Sequence, residues 1–281
     1  MIRQKIIHCG KYGEKSKYIE VDLYPVFEVR KIGKGRNKKK NVTCEEQKNL
    51  NSKKAKRYFN QLAKTNFSSR DYHMSLTYSN DNLPGTLDEA EKESINYVRR
   101  VNRRRKAKGM SNAKYMIVTE RSNNGRIHHH LIIEGGLSRD EMEALWSKQR
   151  ISWKKFERDE EYINSIKLIG YANAERLQFD EKGIEALCNY LCKDPQGKRR
   201  WRQSKNLLKP WYKNPTDGKY SRRKIEKMAN LPQDCEEVKT YWERQYKGYM
   251  LDESVPEFNE ITGQWSIYLK MHLNNIGVSK G

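Results

Sequence analysis

The stretch from Lys114 to Glu134, KYMIVTERSNNGRIHHHLIIE, constrains this chain more than any other. It reads as two short strands, Lys114 to Glu120 and Ile127 to Ile133. The turn between them, Arg121-Ser122-Asn123-Asn124-Gly125-Arg126, is built of residues that tolerate positive φ or bond their own backbone. Neighbours along a strand point to opposite faces. His128 and His130 therefore share one face, while Ile127, His129, Leu131 and Ile133 share the other. If the strands pair antiparallel so that residue i faces 248 − i, Glu120 lies opposite His128 and Val118 opposite His130. Cross-strand Cβ atoms in such pairs are about 5 Å apart. One carboxylate and two imidazoles then converge on one face, a mixed N/O set suited to a divalent cation with positions left for a substrate. Histidines in a strand are often structural, so this reading gains weight only if a nucleophile stands elsewhere in the chain. His129, on the opposite pleat, is expected to pack or to hydrogen-bond and not to bind metal.

Charge narrows the partner. The 281 residues carry 57 Lys and Arg against 36 Asp and Glu, a net +21. Such an excess points to a polyanion, because each phosphate contact releases condensed counterions. An anionic membrane is the competing polyanion, but no run of about 18 apolar residues exists to span one. The N-terminus, MIRQKIIHCGKYGEKSKY, lacks the apolar core of a signal peptide. Five cysteines (Cys9, Cys44, Cys188, Cys192, Cys235) form no Cys-x-x-Cys pair, and reduced thiols in a cytoplasm are the simplest account. Cys188 and Cys192, one helical turn apart, read as packing residues.

Along the chain, Ile2–His8 and Tyr18–Arg30 read as strands, followed by a basic loop from Lys31 to Lys40. Thr43 with Glu46 forms a capping box at the head of a helix running to Phe59. Tyr72 to Tyr78 alternates as a strand and ends in a Ser-Asn-Asp-Asn-Leu-Pro-Gly loop. Leu87 to Lys108 reads as a long helix, acidic in its first turns and basic in its last, as the helix dipole favours. Ser138 to Lys148 is a capped amphipathic helix, and Ile166 to Phe179 a strand interrupted near Gly170. A final helix, Lys182 to Lys193, is closed by Asp194-Pro195, since the residue before proline disfavours αR.

On that last helix Ile184, Leu187, Cys188 and Leu191 make one apolar stripe. Tyr190 and Lys193, three residues apart, project together off its centre. A tyrosine so placed is commonly an amphipathic edge residue with its hydroxyl in water. Beside a metal-binding hairpin it is also a candidate nucleophile, with the lysine ammonium favouring phenolate or shielding a phosphate.

Three segments in order now resemble one family. Tyr72–Tyr78 (YHMSLTY) resembles its first motif, Arg126-Ile127-His128-His129-His130 its His-hydrophobic-His motif, and Tyr190-Leu191-Cys192-Lys193 its Tyr-x-x-Lys motif. The chain thus resembles the single-tyrosine HUH replication initiators, the rolling-circle Rep proteins of bacterial plasmids and single-stranded DNA phages. His129 departs from the pattern, which has an apolar residue there. The resemblance covers about half of the chain, from Phe67 to Lys209. Relaxases share the metal logic, but their tyrosine precedes the histidines.

The resemblance implies Mg²⁺ or Mn²⁺ held by Glu120, His128 and His130. It implies nicking-joining of single-stranded or hairpin origin DNA by Tyr190 through a 5′-phosphotyrosine bond, aided by Lys193. Arg103, Arg104, Arg105, Lys198, Arg199, Arg200 and Trp201 are the candidate DNA contacts. No Gly-x-x-x-x-Gly-Lys-Ser/Thr loop exists, so unwinding falls to a separate helicase and the replication machinery of a bacterial host, in its cytoplasm. The order of elements gives an α+β fold, an antiparallel sheet with helices on one face, and the family implies about five strands in a ferredoxin- or RRM-like arrangement. The expected division is residues 1–66 packing on the core, 67–209 as the endonuclease domain, and 210–281 as a mostly helical extension. An HUH transposase or relaxase-like strand transferase, a hydrolytic metal nuclease, and a non-enzymatic single-strand binding module remain as alternatives.

Overall fold

A computed structural model describes residues 1–27, 45–122, 124–193 and 199–274. The basic loop Lys31 to Lys40, the Thr43 cap and Lys198 lie outside the described residues. In chain order the elements begin with β1 (Ile2–Cys9), β2 (Tyr18–Pro25), α1 (Glu45–Asn66), β3 (Tyr72–Leu76) and α2 (Leu87–Ala107). Next come β4 (Tyr115–Arg121), β5 (Ile127–Ile133), α3 (Arg139–Ala144), α4 (Trp153–Phe156), α5 (Glu160–Asn164) and β6 (Ala172–Arg176). The last are α6 (Glu185–Leu191), β7 (Arg202–Gln203), β8 (Trp211–Tyr212), β9 (Thr216–Asp217), α7 (Arg222–Ala229), α8 (Glu236–Gln245), β10 (Tyr249–Asn259) and β11 (Gln264–Leu273). They form two compact units, residues 66–207 and residues 1–65 with 208–281.

The unit of residues 66–207 is built on a five-stranded sheet of order β6-β3-β5-β4-β7, antiparallel throughout. Tyr72, Met74 and Leu76 of β3, Leu131 and Ile133 of β5, and Ala172 and Ala174 of β6 all turn to one face. They pack there against Tyr97, Val98 and Val101 of α2 and against Met142 of α3, with Leu145 and Trp146 following. A fully buried Leu or Val contributes roughly 1.5–3 kcal/mol, so this face holds the sheet in register. Capping boxes start both helices, Thr86 with Glu89 and Ser138 with Glu141. The break before β6 has a steric cause. Thr77 N–H and Ser79 N–H donate to Tyr171 O and Ile169 O, and a Cβ on Gly170 would stand 2.3 Å from Thr77 O.

The other unit joins both flanks of the chain. Its sheet runs β10-β11-β2-β1-β8, with β9 also on β1. Ile19, Val21 and Leu23 of β2 face Ile225, Met228, Val238 and Trp242 of α7 and α8. On the opposite pleat Glu20 and Asp22 meet Arg57 of α1, at 2.7 and 2.8 Å, and Gln61 donates to Glu20. Two sequence expectations are corrected here. Residues 1–66 and 210–281 are not separate segments, because β2 pairs with β11. Residues 210–281 are not mostly helical, since β10 and β11 form a hairpin of 11 and 10 residues against helices of 8 and 10. Pro256 sits in β10, at the sheet edge where a missing N–H costs no ladder bond.

Candidate metal and tyrosine site

The hairpin β4–β5 folds in the expected register, with Glu120 opposite His128 and Val118 opposite His130. Gly125 at φ 83° takes the left-handed position its turn requires. Glu120, His128 and His130 each offer a ligand atom, all within 4.8 Å of one another. His128 Nε2 lies 3.5 Å from Glu120 Oε2, and both residues are half-buried. Glu120 Oε1 and His130 Nε2 are buried and have no hydrogen-bond partner among the described residues. A buried polar atom left unpaired costs about 1–3 kcal/mol. Two such atoms in one mixed carboxylate–imidazole cluster fit a divalent cation held by these three side chains.

Burial first, and then the neighbouring His73 and His128, bring His130 down to about 4, with Glu120 opposing. His130 is thus neutral at physiological pH, the state a metal ligand needs. Its Nδ1 lies 3.2 Å from His73 Nε2 and 3.3 Å from Ser75 Oγ. Sequence reading missed this pair. The signal was present: in YHMSLTY, His73 and Ser75 alternate with core residues, so both share the face of His130.

His129 is fully buried on the other face. Tyr78 Oη stands 2.8 Å from its Nε2 and Thr119 Oγ1 2.9 Å from its Nδ1. Burial brings it down to about 3, so it is a neutral packing histidine and no ligand.

Tyr190 on α6 is exposed, and its ring meets the edge of His130 at 5.5 Å between centroids. Cys188 and Leu191 bury the other side of α6. This helix is shorter than its sequence pattern indicates. It ends at Leu191 with Cys192 as cap, and Lys193 follows it, exposed, with its backbone N–H on Tyr190 O at 3.1 Å. Tyr190 is therefore brought to the histidine cluster, while Lys193 does not share a helical face with it.

The candidate DNA contacts divide. Arg103 is exposed on α2, and Arg199 and Arg200 are exposed beyond α6. Trp201 Nε1 donates to Gln203 at 2.7 Å. Arg104 and Arg105 are corrected to structural residues. Arg104 is buried between Glu141 and Glu157, with its guanidinium 4.0 Å over the Trp153 ring. Arg105 is buried and donates to Ser111 O and Gly135 O. The helical period explains both, because Tyr97, Val101, Arg104 and Arg105 fall on one face of α2.

Residues 71–195, under half of the chain, match a family of replication-associated proteins, the one described by its ORF2 member. This region is therefore similar to replication-associated proteins. No curated protein and no solved structure matches the chain. Among the described residues no helix is long and apolar enough to cross a membrane.

Proposed function

We propose that this protein is a metal-dependent nicking-joining enzyme that initiates rolling-circle replication at a single-stranded or hairpin DNA origin. The observation that carries this reading is the Tyr190 ring set against His130, the ligand whose Nε2 is left without a partner. The similarity of residues 71–195 to replication-associated proteins supports the same substrate class.

Glu120, His128 and His130 would hold Mg²⁺ or Mn²⁺. When bound, that ion supplies charge to polarise and orient a non-bridging oxygen of the scissile phosphate. Tyr190 Oη attacks the phosphorus in line. The bond from phosphorus to the 3′ oxygen breaks, the 3′ oxygen takes up a proton equivalent to that lost by the phenol, and a 5′-phosphotyrosine bond remains. Because one phosphodiester replaces another, a later 3′-hydroxyl reverses the step and joins ends without a nucleotide cofactor. Lys193, exposed just past α6, screens phosphate charge at the strand entering the site. Arg103, Arg199, Arg200 and Trp201 track the strand by charge and stacking.

The test is a denaturing gel of the protein incubated with labelled origin oligonucleotides and Mn²⁺. A protein–DNA adduct that disappears in Tyr190→Phe supports the reading. Cleavage that persists in Tyr190→Phe without an adduct identifies water as the nucleophile and overturns it.

A further inference from the structure

Whether His130 can bind a cation depends on which of its nitrogens carries the proton. A neutral imidazole has one N–H and one lone pair, and only the lone-pair nitrogen can bind a cation. His130 Nε2 is the buried atom without a partner, on the side of Glu120 and His128. For it to present a lone pair, Nδ1 must hold the proton and needs an acceptor. Two side chains of β3 stand at that atom, His73 Nε2 at 3.2 Å and Ser75 Oγ at 3.3 Å.

We infer that His73, assisted by Ser75, is a positioning residue that fixes His130 in its Nδ1–H tautomer and aims Nε2 at the cation. No proton is gained or lost in this role; the acceptor only settles where it sits. Strand register places all the parts. Ser75 pairs with His130 across β3–β5, and His73 sits two residues before Ser75 on the same face. The His73 and His130 rings stack at 5.3 Å with 17° between planes, so His130 is also held against rotation. Glu175, opposite His73 across β3–β6, sets a carboxylate on the outer side of that pair. Acceptors of this kind behind metal-bound histidines typically change metal affinity about 10- to 100-fold when removed.

This inference rests on the metal-site reading, so its test separates the two. Mn²⁺ binding to the full chain, without DNA, is followed by the loss of the free-ion electron paramagnetic resonance signal. His73→Leu, which fills the space but offers no acceptor, is expected to weaken Mn²⁺ binding by about 10- to 100-fold. His73→Gln places an amide oxygen where Nε2 stood and is expected to recover most of that loss. Thermal midpoints of the metal-free variants control for folding. Equal loss in Leu and Gln variants, or none in His73→Leu while His128→Ala loses Mn²⁺, would overturn the positioning role alone. Unchanged Mn²⁺ binding in both His128→Ala and Glu120→Ala would instead overturn the metal site, and the role of His73 with it.

Discussion

Both sheets of this protein bury carboxylates, and they treat them in opposite ways. In the sheet of residues 1–65 and 208–281, Glu20 is almost wholly buried and is met by Arg57 at 2.7 Å and by Gln61. In the sheet of residues 66–207, Glu120 has one oxygen 3.5 Å from His128 and the other with no hydrogen-bond partner among the described residues. The first arrangement is complete within the chain; the second is incomplete. Fold-stabilising and functional polar groups are therefore distinguished less by residue type than by whether the chain itself satisfies them.

The comparison breaks first at the incomplete site. Tyr190→Phe and His128→Ala are expected to abolish the covalent DNA adduct while leaving the urea midpoint of the metal-free protein unchanged. Glu120→Gln sharpens this, because removing an unpaired buried charge should not lower metal-free stability even as adduct formation is lost. A Glu120→Gln chain that unfolds earlier than the parent would show that the carboxylate is structural after all.

Arg57→Ala tests the complete site. Breaking a buried pair leaves Glu20 uncompensated, and a loss of about 3 kcal/mol is expected in urea denaturation. The next effect is smaller. His129→Leu strands the Tyr78 and Thr119 hydroxyls, at a cost of about 1–3 kcal/mol. Adduct formation should survive at temperatures where that variant is folded.

The same residue sets a pH dependence. His129 titrates near 3 in the fold and near 6.5 when unfolded, so the unfolded chain takes the proton first. Its contribution is full above pH 6.5 and is lost as pH falls toward 3. Thermal melts should show a steeper acid decline in the parent than in His129→Leu. The smallest effect belongs to Arg103→Ala, which should lower the salt slope of single-strand binding by about 0.7. Arg104→Ala should instead destabilise the fold through Glu141.

How much of this was legible follows from how local each signal is. The register of the Glu120–His128 hairpin could be read because its alternation and turn lie close together in the chain. The structure reproduces it. His129 also falls where alternation places it. Arg104 and Arg105 were misjudged because a cluster of charge at a helix end looks like a surface, although their spacing from Tyr97 and Val101 marks them as inward. The β10–β11 hairpin was missed for another reason. Pro256 and the acids of β10 argue against a strand, and only the edge position supplied by β11 makes them acceptable. Its partner QWSIYLKMHL does alternate, with Ile267, Leu269 and Met271 inward, but the strand it completes lies at the other end of the sequence.

That last pairing bears on the order in which the chain can fold. Residues 66–207 are contiguous, so their sheet can close as soon as they have left the ribosome. Strand β2, made early, keeps a bare edge until residues 264–273 arrive to cover it. Chains grow at about 5–20 residues per second, and open strand edges are where misassociation begins. The flanking sheet, rather than the one bearing the histidines, is therefore the slow and aggregation-exposed half of the molecule. A truncation that removes β11 should yield inclusion bodies before it yields an inactive but soluble protein.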